Sequence, residues 1–196
     1  MFRRAADGST AEEPLFAGKG LVFPDTFTPD GKVLLFTQFI DGKGSIWSMP
    51  LADPRKASML LERGGGSCLS PDGRYLAYES TESGQYQVYV VPFGGRQGKW
   101  QVSPNGGSLP LWSGDGKELY YIDSTSSVIS VSVKEQGDAL QFGAPQTLIT
   151  RSNLAAVPSF AVSPDGKKIL VERLSQQGNQ SVTLVTNFAE GLNKGK

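Results

Sequence analysis

Apolar and polar residues alternate along this chain in short runs, and clusters of turn-forming residues close each run. Four runs are rich in aromatic and branched side chains: residues 32–37 (KVLLFT), 74–79 (RYLAYE), 117–122 (KELYYI) and 168–172 (KILVE). After a polar tip each is followed by a second run: 45–49 (SIWSM), 87–91 (QVYVV), 127–133 (SVISVSV) and 181–186 (SVTLVT). The strict alternation in SVISVSV is that of a strand with one buried face. Shorter runs, as in 99–103 (KWQVS) and 147–150 (TLIT), supply an outer strand. No segment keeps a helical period, so the pattern predicts an all-β protein.

The turn clusters repeat. Thr28-Pro29-Asp30-Gly31-Lys32, Ser70-Pro71-Asp72-Gly73-Arg74, Ser113-Gly114-Asp115-Gly116-Lys117 and Ser163-Pro164-Asp165-Gly166-Lys167 share one chemistry. Proline presets φ, aspartate bonds nearby amides, and glycine takes positive φ. Their aspartates lie 42, 43 and 50 residues apart (30 to 72, 72 to 115, 115 to 165). A period of about 40–45 residues suits a four-stranded β-propeller blade. Blades are expected near residues 20–62, 65–104, 107–150 and 155–188, after N-terminal strands in 1–19 and before a polar tail, 189–196. The longer third interval is read as a polar loop insertion at 134–142 (KEQGDALQF). Glycine at position 114, in place of the turn proline, reads as a neutral replacement.

The N-terminal segment holds two strand-like pieces, 2–7 and 12–16, resembling the third and outer strands of a blade. They are read as the remnant of a preceding blade or as a closing strand that pairs with 181–187. Three arrangements stay open: a small closed ring, part of a larger propeller, and two chains completing an eight-bladed ring across a two-fold axis.

Composition narrows the chemistry. With 19 basic and 19 acidic residues among 196, the formal net charge is zero, so no nucleic-acid partner is expected. No apolar run is long enough to cross a bilayer as a helix, and Met1-Phe2-Arg3-Arg4 turns polar at once, so neither membrane insertion nor a signal-peptide core is read here. There is no histidine, which removes the usual acid–base catalyst and the commonest transition-metal ligand. Cys68 is the one cysteine and reads as a small buried hydrophobe. Residues 94–100 (GGRQGKW) are one residue short of a phosphate-binding loop and end in Trp instead of Ser or Thr. No catalytic residue, metal site or cofactor is expected.

The spaced turns followed by an apolar strand resemble the TolB-type β-propeller repeat, a Pro-Asp relative of the WD repeat. Residues 79–93 (ESTESGQYQVYVVPF), 99–103, 106–121 (GGSLPLWSGDGKELYY) and the ending 186–192 (TNFAEGL) are further similar to the C-terminal propellers of bacterial membrane-anchored serine/threonine kinases. Val91 departs from the arginine often found in such proteins, which bears on surface recognition. The resemblance implies a non-catalytic binding or sensor module, extracytoplasmic in such a kinase, with the kinase part lying before this chain. Its ligand would be a protein, a peptide or a small molecule.

Candidate site residues follow from the propeller reading. Asp30, Asp72, Asp115 and Asp165 sit a blade apart and are expected to stabilise their own turns, not to share a metal ion. Trp47, Tyr75, Tyr78, Tyr89, Trp100, Trp112, Tyr120 and Tyr121 mostly alternate within strands and read as packing between blades. The channel rim, where the inner strands begin, is the usual ligand site in propellers. That places the binding candidates at Phe23, Pro24, Asp25, Gly66, Ser67, Leu109, Pro110, Pro158 and Ser159. Two other classes stay open: a hydrolase or lyase using carboxylates alone, and a structural spacer.

Overall fold

The computed structural model of the chain describes residues 1–95, 97–137, 139–150, 160–174 and 180–186. The described secondary structure is all-β apart from one 3₁₀ turn, Pro54–Lys56. Two compact units divide the chain, Met1–Ser67 and Cys68–Lys196.

In the first unit, β1 (Phe2–Arg3) pairs antiparallel with β2 (Glu13–Pro14), and Arg3 Nε meets Glu13 Oε2 at 2.9 Å. A four-stranded sheet follows, with β3 (Leu21–Phe27), β4 (Val33–Ile40), β5 (Lys43–Pro50) and β6 (Ser58–Leu61) hydrogen-bonded in chain order. Its buried face carries Leu34, Phe36 and Met49, and Leu15, Phe16 and Met1 of the N-terminal segment pack on it. Phe16 and Phe36 hold their rings 4.7 Å apart.

The second sheet is β7 (Gly65–Leu69), β8 (Tyr75–Ser80), β9 (Gln87–Pro92) and β10 (Trp100–Gln101), again in chain order. The third contains β11 (Gly107–Trp112), β12 (Glu118–Asp123), β13 (Val128–Gln136), β14 (Ala139–Phe142) and β15 (Gln146–Ile149). In the fourth, β16 (Phe160–Val162), β17 (Lys168–Leu174) and β18 (Gln180–Thr186) are described. Within the second unit the second and third sheets share a core of Tyr75, Val88, Val90, Leu119, Tyr121 and Val131. Ile122 and Val128 join Ile169 and Val171 of the fourth sheet in another. Side chains of this size each stabilise the fold by about 1.5–3 kcal/mol when fully buried. Of the eight aromatics singled out in the sequence, Tyr75, Tyr78, Tyr89, Trp112, Tyr120 and Tyr121 are buried, and Trp47 and Trp100 are half-buried. Cys68 is half-buried against the shared core, not enclosed in it.

One device is repeated at all four turns. The hydroxyl of Thr28, Ser70, Ser113 and Ser163 donates to Oδ1 of the aspartate two residues on, at 2.5–2.8 Å. Each aspartate also accepts the amide two residues beyond it, at 3.0–3.1 Å. Each hydroxyl oxygen in turn accepts the amide that opens the second strand, that of Val33, Tyr75, Glu118 and Lys168. The turn glycines sit at φ of 67–71°, where a Cβ is disfavoured. The aspartate is therefore half of a two-residue hub whose other half is the Ser or Thr.

Two sequence expectations are corrected. The segment 134–142 is not a polar loop: β13 runs on to Gln136 and turns back as β14, pairing Val133 with Phe142 and Glu135 with Leu140. Leu140 is buried and Phe142 packs on the shared core, so the insertion is a hairpin with one apolar face. Nor is Gly114 a neutral replacement. A Cβ there would lie 2.1 Å from the carbonyl oxygen of Pro164, because the turn of the fourth repeat packs directly on this backbone.

Candidate functional site

The described rim candidates lie at the starts of inner strands, and a bulge shapes two of these strands. In β3 the register slips between Pro24 and Thr26, and in β11 between Ser108 and Leu111. Pro24 is exposed, Pro110 is buried, and Pro158 and Ser159 lie outside the described residues. Six residues before the turn aspartate, Gly66 of β7 and Leu109 of β11 both adopt φ of 54°. Glycine takes that conformation freely, whereas leucine does so at a cost of about 1–2 kcal/mol. Leu109 nevertheless exposes 44% of its surface.

In the first unit the structure brings Asp25, Gly66 and Ser67 together. Asp25 Oδ2 accepts three hydrogen bonds, from the Thr37 hydroxyl at 2.7 Å, the Ser67 hydroxyl at 2.7 Å and the Ser67 amide at 3.2 Å. Thr37 Oγ1 also accepts the amide of Gly66 at 3.1 Å. Oδ1 of Asp25 accepts no bond among the described residues, and no cation there pairs with this carboxylate. Burial pushes the Asp25 carboxyl above its usual range, and the bonds from Thr37 and Ser67 only partly oppose that. Phe23 shares this face. Its ring meets Phe39 edge-on at 6.0 Å, Phe39 stands two residues from Thr37 on β4, and half of Phe23 is exposed.

In the second unit the amide of Leu109 donates to Glu79 Oε2 at 2.9 Å. Glu79 follows Asp72 by the same interval as Thr37 follows Asp30, and each accepts the amide of the left-handed residue in the next inner strand. Sequence reasoning missed both residues. The signal was a polar side chain closing an otherwise apolar run, in LLFT and LAYE.

The turn aspartates stand apart from the rim, each held in its own turn. The Thr28 hydroxyl and Lys32 amide hold Asp30 below the usual carboxylate range, as the Ser163 hydroxyl and Lys167 amide hold Asp165. The Lys117 amide and Ser113 hydroxyl do the same for Asp115. At Asp72 partial burial acts upward, but the bonds from Ser70 and Arg74 outweigh it and the net direction is down. No group of three or more Cys, Asp or Glu among the described residues is placed to hold a metal ion.

A concavity of about 540 Å³ lies at the turn end of the third blade, opposite the start of its inner strand. Tyr75, Trp112, Val133 and Leu140 line it below the two turns of Asp72 and Asp115. Arg74 bridges Asp72 to Glu135 and so ties the inserted hairpin to the second repeat's turn.

The family and the structural relatives agree with this geometry. The TolB beta propeller domain family matches residues 8–195. No curated protein sequence matches the chain. Among solved structures, TolB from Acinetobacter baumannii superposes with a TM-score of 0.73 at 20% identity, over 94% of this chain and 45% of its own. A protein from Agrobacterium tumefaciens designated TolB gives 0.70 at 21% identity, over 90% of this chain and 62% of its own. The chain thus spans roughly half the length of these relatives. With turns, strand order and inner-strand bulges repeated through residues that the family covers almost end to end, the chain belongs to the TolB β-propeller family.

Proposed function

We propose that this chain is a non-catalytic protein-binding module and that the starts of its inner strands carry contact residues in each unit. One observation carries the reading: Leu109 holds a conformation that glycine would hold without strain, yet it presents a large apolar side chain to solvent. Strain retained at an exposed position is a mark of a functional contact. Phe23 offers a second exposed anchor in the first unit, and aromatic and large apolar anchors dominate protein interfaces. Membership of the TolB propeller family supports a protein partner over a small molecule. The resemblance to the propellers of membrane-anchored kinases supports a place in a bacterial signalling protein, on the outer side of its membrane. The absence of histidine and the enclosure of the turn aspartates in their own turns favour binding over hydrolysis.

The test is selection of peptide or protein binders against the intact chain, followed by Phe23→Ala and Leu109→Ala. The reading predicts a loss of tenfold or more in affinity for each, with the melting temperature retained. Binders indifferent to both substitutions would refute it.

A further inference from the structure

We propose that Asp25 and Phe23 form a receptor for the basic side chain of the partner, an arginine or lysine whose cation meets Asp25 Oδ1 while its stem lies on the Phe23 ring. The proposal rests on the protein-binding reading above and names the chemical group recognised at that surface.

Three features of the site lead to this. The carboxylate is fixed before any ligand arrives, since three donors converge on Oδ2 and leave Oδ1 as the open acceptor. Its charge is uncompensated: the groups bonded to it, Thr37 and Ser67, are neutral, and none of the described ion pairs includes it. An aromatic face lies beside it. Phe23 leans on Phe39, and Phe39 and Thr37 share one side of β4, so ring and carboxylate open on the same face. A fixed, unpaired carboxylate next to an exposed ring selects a cation with an apolar stem, through a charge-assisted hydrogen bond to the head and packing of the stem on the ring. A neutral apolar side chain would instead leave the half-buried charge without a partner. An acidic one would be repelled.

The experiment compares N-acetyl-arginine amide with its neutral isostere N-acetyl-citrulline amide on the intact chain. The readouts are the carboxyl carbon resonance of Asp25 through a pH titration and the ring resonances of Phe23. Concentrations up to about 100 mM populate a site with a Kd of about 10 mM. The arginine probe is expected to lower the apparent pKa of Asp25 by about one unit, as a cation within a few ångströms does, and to shift the Phe23 ring. Citrulline should do neither, and Asp25→Asn should reduce the arginine response at least fivefold. Equal responses to both probes, a response unchanged in Asp25→Asn, or silence toward arginine would each overturn the proposal. The wild-type comparison needs no variant, so it decides even if Asp25→Asn folds poorly. Selected binders that still depend on Phe23 and Leu109 but show no enrichment in basic residues would leave the protein-binding reading standing and remove this inference alone.

Discussion

Gly66 and Leu109 hold one backbone conformation, φ of 54° each, at the same position of two successive inner strands. Their amides serve the same purpose, donating to Thr37 Oγ1 in one case and to Glu79 Oε2 in the other. The left-handed residue recurs in these two strands but not at Pro24, the equivalent place in β3, and of the two only Leu109 holds the conformation with a side chain.

Leu109→Gly tests what that side chain is for. Relief of the strained φ is offset in part by the greater freedom of glycine in the unfolded chain. The expected outcome is unchanged stability or a gain of about 0.5 kcal/mol in urea unfolding, together with weaker binding. A loss of more than about 1 kcal/mol would make Leu109 a packing residue.

Asp25 and the turn aspartates should respond to pH in opposite directions. The folded-state pKa of Asp25 is raised, so its contribution to stability is full below the unfolded value of 3.8 and declines as pH rises through the folded value. In Asp25→Asn that decline should vanish from unfolding midpoints measured across the acid range. Asp25→Ala should cost about 1–3 kcal/mol, because the Ser67 amide loses its acceptor.

For Asp30, Asp72, Asp115 and Asp165 the folded values are lowered, and the sign reverses. Their contribution is present above pH 3.8 and is lost as pH falls through the folded values. Asp30→Asn and Asp165→Asn should flatten the acid limb of the stability curve, with a modest loss of stability at neutral pH and little change at the acid end, checked by unfolding midpoints across that range.

The hydroxyl half of each hub is the better target for stability at neutral pH. Ser70 and Ser113 are each 4% exposed. Ser70→Ala removes the donor to Asp72 and the acceptor of the buried Tyr75 amide. Chemical denaturation should show a cost of about 1–3 kcal/mol for this change. A cost near zero would mean that water replaces the hydroxyl.

Gly114→Pro would restore the residue found at this place in the other three turns, and it should still be harmful. The Pro164 carbonyl occupies the space of any Cβ at position 114, and relieving such overpacking typically costs about 1–3 kcal/mol. A variant as stable as the parent, measured by thermal unfolding, would show that the two turns separate freely.

The strands and turns were legible because Pro, Asp and Gly act on their own backbone, so a local pattern reports a local structure. What lay between repeats was not. Nothing within SGDGK tells Gly114 from a tolerant turn residue, because the constraint comes from Pro164 in another repeat. Thr37 and Glu79 stood out only as polar ends of apolar runs, and their acceptor role depends on how the amides of Gly66 and Leu109 in the next repeat are turned, which a local pattern does not encode. The inserted hairpin was misread because its charged first half hides the alternation of Leu140 and Phe142. Of the rim residues, the sequence named Asp25 and Ser67 without showing that they touch.

Sheets built from neighbours in the chain also bear on how the protein forms. In the first two sheets each strand pairs with the next in sequence, and the third departs from this only where its hairpin and β15 share the edge of β13. Each sheet can thus complete its hydrogen bonding from one contiguous stretch as it leaves the ribosome, without waiting for distant segments. The clasps at Gly66 and Leu109 join such a stretch to the one made just before it, so assembly can proceed in the order of synthesis.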